Sequence, residues 1–232
     1  MRALQTTRLN GLSAAPYASL NLGRHVGDDA ITVMRNRMLL SVCLPSEPVW
    51  LTQTHGVQVI DAGLAPCDAE GDASIAKQAG AVCVVMTADC LPVLLCDQQG
   101  SVVSAVHAGW RGLCAGVIEA AVQKMAVPPT TLMAWLGPAI SVQAFEVGEE
   151  VRAAFVNPNV IGSMQAEAAF VPGAAGKWQA DIYQLARLRL HALGIPQIYG
   201  GNFCTYTDAA RFFSYRRDGV TGRMGTFIWL ED

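Results

Sequence analysis

The longest apolar stretch of the sequence, residues 79–96, is broken in its middle by Asp89 and Pro92. A membrane-spanning helix needs about 20 consecutive, mostly apolar residues, so the break excludes one here and leaves two buried strands with a polar junction. The same grain recurs nearby. Residues 57–60, 81–86, 91–96 and 102–107 are short, rich in Val, Ile and Leu, and bounded by Gly, Asp or Pro. That pattern suits buried strands better than helices. Two stretches carry a helical period instead. Residues 113–125 put Leu113, Val117, Ala120, Ala121 and Met125 on one face. Residues 181–193 offer Asp181 as N-cap, Ile182, Leu185, Leu188 and Leu190 as apolar positions, and Gly194 then Pro196 as the stop. Pro158, Gly162 and residues 172–176 mark loops.

Strands and helices on short connections predict an α+β (mixed α/β) fold, a layered arrangement of mixed β-sheets flanked by helices. At 232 residues, 52% of them hydrophobic, the chain holds enough apolar material for one core, so a single domain over residues 1–232 is expected. A formal net charge of −3 and the lack of any basic run argue against nucleic acid as a partner. The N-terminus has no apolar segment of the kind that directs export. Seven cysteines without a CxxC spacing fit a reducing cytoplasm better than a disulfide framework. Cys43, Cys83, Cys96 and Cys114 read as small hydrophobes beside apolar segments. No membrane partner is expected; a small-molecule substrate and a monomer or weak homo-oligomer are working expectations that composition does not itself supply.

Polar residues gather where the apolar runs end: Thr54-His55-Gly56, Asp89-Cys90, His107-Ala108-Gly109-Trp110-Arg111, and Phe213-Ser214-Tyr215-Arg216-Arg217. His55, Cys90 and His107 lie too far apart for a zinc finger but suit three ligands donated from different strands. Two His and one Cys make three protein ligands with a fourth position open, the arrangement of catalytic rather than structural zinc. Other readings of the same residues stand beside it. Cys90 could be a nucleophile with His107 as its base and His55 as an orienting group. His₂Cys is also the ligand set of blue-copper centres. A His or Cys at a strand end is, besides, commonly structural. Spacing leaves all of these open.

Further motifs run through the chain: Thr6-Thr7-Arg8, Pro16-Tyr17-Ala18-Ser19-Leu20-Asn21-Leu22-Gly23, His25-Val26-Gly27-Asp28-Asp29, Asn36-Arg37, Leu136-Gly137-Pro138-Ala139-Ile140 and Phe145-Glu146-Val147-Gly148. Together with the clusters above and residues 213–223, they resemble, nearly end to end, the multicopper polyphenol oxidase or laccase-like family. That family is also called peptidoglycan editing factor and purine nucleoside phosphorylase, the YfiH/YlmD group. The resemblance implies zinc held by His55, Cys90 and His107. It also implies phosphorolysis of adenosine, inosine and methylthioadenosine, with hydrolytic deamination of adenosine. Two departures stand out. Little sequence precedes Thr6, which leads one to expect an edge strand fewer, and Ser141-Val142-Gln143-Ala144 replaces a cysteine-containing segment of many relatives.

Four histidines, His25, His55, His107 and His191, are too few for a blue-copper centre plus a trinuclear cluster. Laccase-like oxidation is therefore a minor alternative, although Cu²⁺ outranks zinc for such ligands and can bind in vitro. The editing-factor name points to a second alternative, hydrolysis of peptidoglycan precursors by Cys90 with His107 or by a zinc-activated water. For nucleoside chemistry, Cys90, His107 and Asp89 are the expected catalytic residues, Asp89 as a proton-transfer group or a turn cap. Arg37 is the first choice for phosphate because a guanidinium grips it with two parallel hydrogen bonds. Asn21, Ser19, His25 and Arg111 are expected to bind sugar or phosphate, and Trp110 to stack on a purine or simply pack. Arg216 and Arg217 read as anion ligands or as salt-bridge partners of the last strand, and His191 as structural.

Overall fold

The computed structural model describes residues 1–66, 68–160, 163–174 and 176–231. Gly162 and Ala175, expected in loops, lie outside the described residues. The centre is a six-stranded mixed sheet in the order β11-β7-β5-β6-β3-β2. Its strands are β2 (Val59–Asp61), β3 (Ala73–Ala76), β5 (Leu91–Asp97), β6 (Val103–Ala108), β7 (Leu132–Leu136) and β11 (Gln197–Gly200). The inner pairs β5–β6, β5–β7 and β3–β6 are antiparallel, while the outer pairs β2–β3 and β7–β11 are parallel. A second sheet joins β1 (Arg2–Gln5), β12 (Met224–Trp229) and β4 (Val82–Thr87). A third, small sheet joins β8 (Glu146–Gly148), β10 (Lys177–Ala180) and β9 (Phe170–Pro172). The α+β expectation holds, and the N-terminal residues themselves supply an edge strand, β1.

Strands β5 and β6 are apolar almost throughout because both of their faces are covered. On one face Leu91, Val93, Leu95 and Val106 meet Leu113, Ile118, Met125 and Leu190. On the other, Leu94, Val103 and Ala105 meet Cys83, Val85 and Ile228 of the second sheet. A strand buried on both sides loses the hydrophobic alternation of a half-exposed one, and each such Leu or Ile contributes roughly 1.5–3 kcal/mol. Burial also pushes the Cys83 thiol up to about 12. Cys43, by contrast with the expectation, is exposed.

Among the described residues seven α-helices complete the fold: α1 (Ala30–Leu39), α2 (Trp110–Ala115), α3 (Val117–Met125), α4 (Glu149–Val156), α5 (Ser163–Ala166), α6 (Ile182–Ala192) and α7 (Tyr215–Asp218). Helix α6 starts where expected, with the Asp181 carboxylate accepting from the Gln184 N–H at 2.9 Å. The helix expected over residues 113–125 is instead two. Gly116 has φ 104°, ends α2 in the left-handed region and turns the chain into α3. None of these helices is long and apolar enough to cross a membrane.

Candidate metal centre

The site forms where the chain leaves one sheet for the other. Strand β4 of the second sheet runs into β5 of the central sheet through Ala88-Asp89-Cys90. Asp89 makes the crossing with φ 92°, a conformation that Asp tolerates better than most residues. Three hydrogen bonds hold it there. The Thr205 hydroxyl donates to Oδ1 at 2.6 Å, the Arg216 N–H donates to Oδ2 at 2.7 Å, and the Ile140 N–H donates to the Asp89 carbonyl at 3.0 Å. Both carboxylate oxygens are thus engaged by the chain, and the anchored turn presents Cys90.

A second anchored turn presents His55, again in the left-handed region with φ 63°. Its organiser is Asp72, fully buried just ahead of β3. Asp72 Oδ1 accepts the His55 N–H at 2.9 Å; Oδ2 accepts the N–H groups of Thr54 at 3.1 Å and Gly56 at 2.6 Å. The Thr54 hydroxyl lies 3.2 Å from Oδ2. Oδ1 also faces His107 Nδ1 at 2.8 Å, and the Asp72 carbonyl accepts the His107 N–H at 2.7 Å. Burial opposes ionisation of Asp72, but the bonds from His107 and from the Gly56 and Thr54 amides prevail and hold it below the usual carboxylate range. The sequence reading overlooked this residue. Its only signal is an aspartate placed directly before the short run Ala73-Ser74-Ile75-Ala76.

With Nδ1 engaged by Asp72, His107 turns Nε2 toward the remaining donors. Cys90 Sγ is 3.7 Å from His55 Nε2, and the two imidazoles cross at 74° with centroids 4.7 Å apart. The ligand atoms of His55, Cys90 and His107 all lie within 4.8 Å of one another. A tetrahedral zinc with Zn–S of about 2.3 Å and Zn–N of about 2.0–2.1 Å would hold sulfur and nitrogen roughly 3.6 Å apart. The Cys90–His55 separation matches that spacing, and the 4.8 Å span of all three donors brings them within reach of one ion. Gly109 makes room for them. A Cβ there would lie 2.8 Å from His55 Cδ2 and 3.1 Å from Cys90 Sγ.

The electrostatics suit a cation. Burial opposes Cys90 ionisation, yet the imidazoles of His107 and His55 draw the thiol down to about 6. Burial likewise disfavours a charged His107, but Cys90 and Asp72 push it up to about 9. Both directions favour charge separation between Cys90 and His107, and a metal ion would take the place of the His107 Nε2 proton.

Two cavities meet at His55, Ala88, Cys90 and Tyr215. One, of 350 Å³, is also lined by His25, Thr87, His107 and Arg223. The other, of 450 Å³, is lined by Trp110, Arg111, Ile140, Phe145, Glu146 and Glu150 among others. A larger cavity of 780 Å³, lined by Arg187, His191 and Cys204, contains none of the three donors.

The remaining sequence candidates divide. His25 reaches the smaller cavity and Arg111 the other, with the Arg111 guanidinium 4.4 Å from the Trp110 ring. Asn21 is fully buried; its amide donates to the Gly23 carbonyl and Asp28 Oδ2 and accepts from the Gly23 and Arg223 N–H groups. The Ser19 hydroxyl donates to the Arg8 carbonyl and accepts from Gly11 N–H. Arg37 donates twice to the Leu22 carbonyl, at 3.0 and 2.8 Å, and lies 3.7 Å over the Trp50 ring. These three brace the loop that carries His25. Arg216 and Arg217 hold carbonyls of Glu146 and of Thr205, Tyr206 and Phe212, and Arg217 also pairs with Asp218. His191 is exposed on α6.

Known proteins match this chain over nearly its whole length. Purine nucleoside phosphorylase PA4543 of Pseudomonas aeruginosa is 52% identical over 233 residues, spanning 100% of this chain and 94% of its own length. Purine nucleoside phosphorylase YfiH of Escherichia coli is 52% identical, spanning 98% of this chain and 93% of its own. The crystal structure of Neisseria meningitidis protein NMB0706 superposes with a TM-score of 0.93 at 48% identity, covering 99% of this chain and 94% of that one. YlmD from Geobacillus stearothermophilus superposes at 0.89 with 30% identity, covering 99% and 92%. A family model spans residues 2–231. On that match, the chain belongs to the family described as multi-copper polyphenol oxidoreductase laccase.

Proposed function

We propose that this chain is a zinc-dependent purine nucleoside phosphorylase acting as one domain over residues 1–232, with His55, Cys90 and His107 as the metal ligands. One observation carries the reading: three donors within 4.8 Å of one another, two of them fixed by a single buried carboxylate, at the meeting point of two cavities. The names of the relatives support the substrate class. Zinc bound there would supply a Lewis acid beside the substrate. Cys90 and His107 hold that ion. Asp89, with both oxygens engaged, positions Cys90 rather than moving a proton.

The cavity with Trp110 and Phe145 suits a purine, whose π face stacks on aromatic rings. The Glu146 and Glu150 carboxylates on its wall can accept N–H bonds from the base edge. Tyr215 belongs to both cavities and lies where the ribose would bridge them. Deamination of adenosine and phosphorolysis of methylthioadenosine are further activities proposed for the same centre.

The test is product analysis of adenosine or inosine incubated with zinc-loaded protein, with and without phosphate, beside a His107→Ala control. Free base plus ribose 1-phosphate, dependent on phosphate and absent from the control, is the expected result. No product under any condition would overturn the reading. It would leave hydrolysis of a cell-wall precursor by Cys90 with His107 or by a zinc-activated water.

A further inference from the structure

The smaller cavity carries on its wall a guanidinium with hydrogen-bond donors to spare. Arg223 is half-buried there, and only Nη1 is tied down, to the carbonyls of Thr221 at 2.9 Å and Gly222 at 3.0 Å. Among the described residues no carboxylate lies within ion-pair distance of its guanidinium, whose carbon sits 5.9 Å from the Tyr215 ring centre. His25 lines the same wall. Loss of water around its ring, then the positive charges of Arg223, Arg37 and His107, hold it below the usual histidine range. Thr87 lines the wall too, 2% exposed, and its hydroxyl oxygen has no hydrogen-bond partner. The negative charges of Cys90 and Asp89 act on Arg223, yet among the described residues its Nε and Nη2 hydrogens find no acceptor, a costly state for a partly buried cation. An anion rich in acceptor oxygens would engage them from the cavity.

We propose that Arg223, with His25 and Thr87, forms the phosphate-binding wall of the centre, on the opposite side of Cys90 from the purine. This rests on the phosphorylase reading and adds which side of the centre the phosphate occupies and which residues hold it. Arg223 is the principal grip, since a guanidinium engages a tetrahedral oxyanion through two parallel N–H bonds where a lysine offers a point charge. Arg37, fixed against Leu22 and Trp50, adds to the positive field from behind without touching the anion. In this arrangement phosphate and base approach the ribose from opposite cavities, which is the geometry that displacement at C1′ demands.

The experiment measures inorganic phosphate binding to the zinc-loaded protein by calorimetry, and KM for phosphate and for inosine, in wild type, Arg223→Gln, Arg223→Lys and Thr87→Val. Expected is at least a tenfold loss of phosphate affinity in Arg223→Gln, a smaller loss in Arg223→Lys and in Thr87→Val, and KM for inosine within about twofold. Should Arg223→Gln fail to fold, Arg223→Lys and Thr87→Val carry the test. Phosphate binding unchanged in the folded variants would overturn the assignment. Wild type that binds phosphate in an Arg223-dependent way but releases no free base would uphold the anion wall while sinking the phosphorylase reading. In a second arm, adenosine 5′-monophosphate that displaces phosphate with higher affinity would overturn inorganic phosphate as the occupant in favour of a nucleotide's phosphate group.

Discussion

Asp72 Oδ1 lies 2.8 Å from His107 Nδ1 and 2.9 Å from the His55 backbone nitrogen, so one buried carboxylate oxygen serves two metal-type ligands from different elements. Fixing the outer nitrogen of His107 selects the tautomer that leaves Nε2 to the centre, and the negative charge raises the basicity of that nitrogen. Asp72→Asn should therefore lower zinc affinity about 10–100-fold, read by competition with a chromogenic chelator. An affinity equal to wild type would reduce Asp72 to a turn cap.

Gly109 has an ordinary φ of −59°, so alanine fits its backbone but not its surroundings. The added methyl would press on His55 and Cys90. Gly109→Ala should keep the wild-type circular dichroism spectrum while losing at least half of its bound zinc after dialysis. Full retention of zinc would mean that the His55 turn yields without cost.

Gly116 makes the break between α2 and α3, and there the backbone itself forbids the substitution. An L-residue in the left-handed region costs about 1–2 kcal/mol, and the new Cβ would sit 3.5 Å from the Glu119 carboxylate and 3.6 Å from the Arg189 guanidinium, whose ion pair ties α3 to α6. Gly116→Ala is expected to lower unfolding free energy by roughly that amount in a urea titration. A midpoint above the wild type would contradict this.

Removal of the metal distinguishes the competing chemistries. Chelation should abolish phosphorolysis, with activity returning on zinc addition. The freed Cys90, drawn toward thiolate by its two imidazoles, should then alkylate faster with iodoacetamide than in the zinc-loaded protein. Activity that survives chelation but dies on alkylation would identify a Cys-His hydrolase instead.

The acid limb of stability has a contributor far from the centre. Burial disfavours Asp97 ionisation, but the N–H groups of Val102 and Ser101 and the Ser101 hydroxyl, at 3.0, 2.7 and 2.9 Å, hold its carboxyl below the usual range. A depressed folded pKa stabilises above the unfolded value of about 3.9, and the contribution is lost as pH falls through the folded value. Asp97→Asn should thus be less stable than wild type at pH 7, with the gap closing toward pH 3. A gap of constant size across that range would show that titration of Asp97 is not its source.

Much was legible in the sequence because it was local. Short Val- and Leu-rich runs marked β4, β5 and β6; Asp181 announced α6; and His55, Cys90 and His107 each ended an apolar run, where a side chain faces the rim of a sheet. Length and pattern within a few residues fix such features, since strand burial and helix capping depend on near neighbours. Long-range pairing decided the rest. Strand β12 joins β4 in a sheet with β1 across more than half the chain, and no local period encodes that partnership. Asp72 gave no signal alone, because its role exists only once β6 and the His55 turn close around it. Residue type made Arg37 the expected phosphate ligand, since sequence does not carry what each guanidinium finds in space. Folding engaged Arg37 with Leu22 and Trp50 and set Arg223 on the cavity wall. Residue type and pattern within a few positions specify the candidate donors and the layered class; which polar groups are satisfied internally and which face a ligand emerges only on folding, because that balance depends on every partner folding brings together.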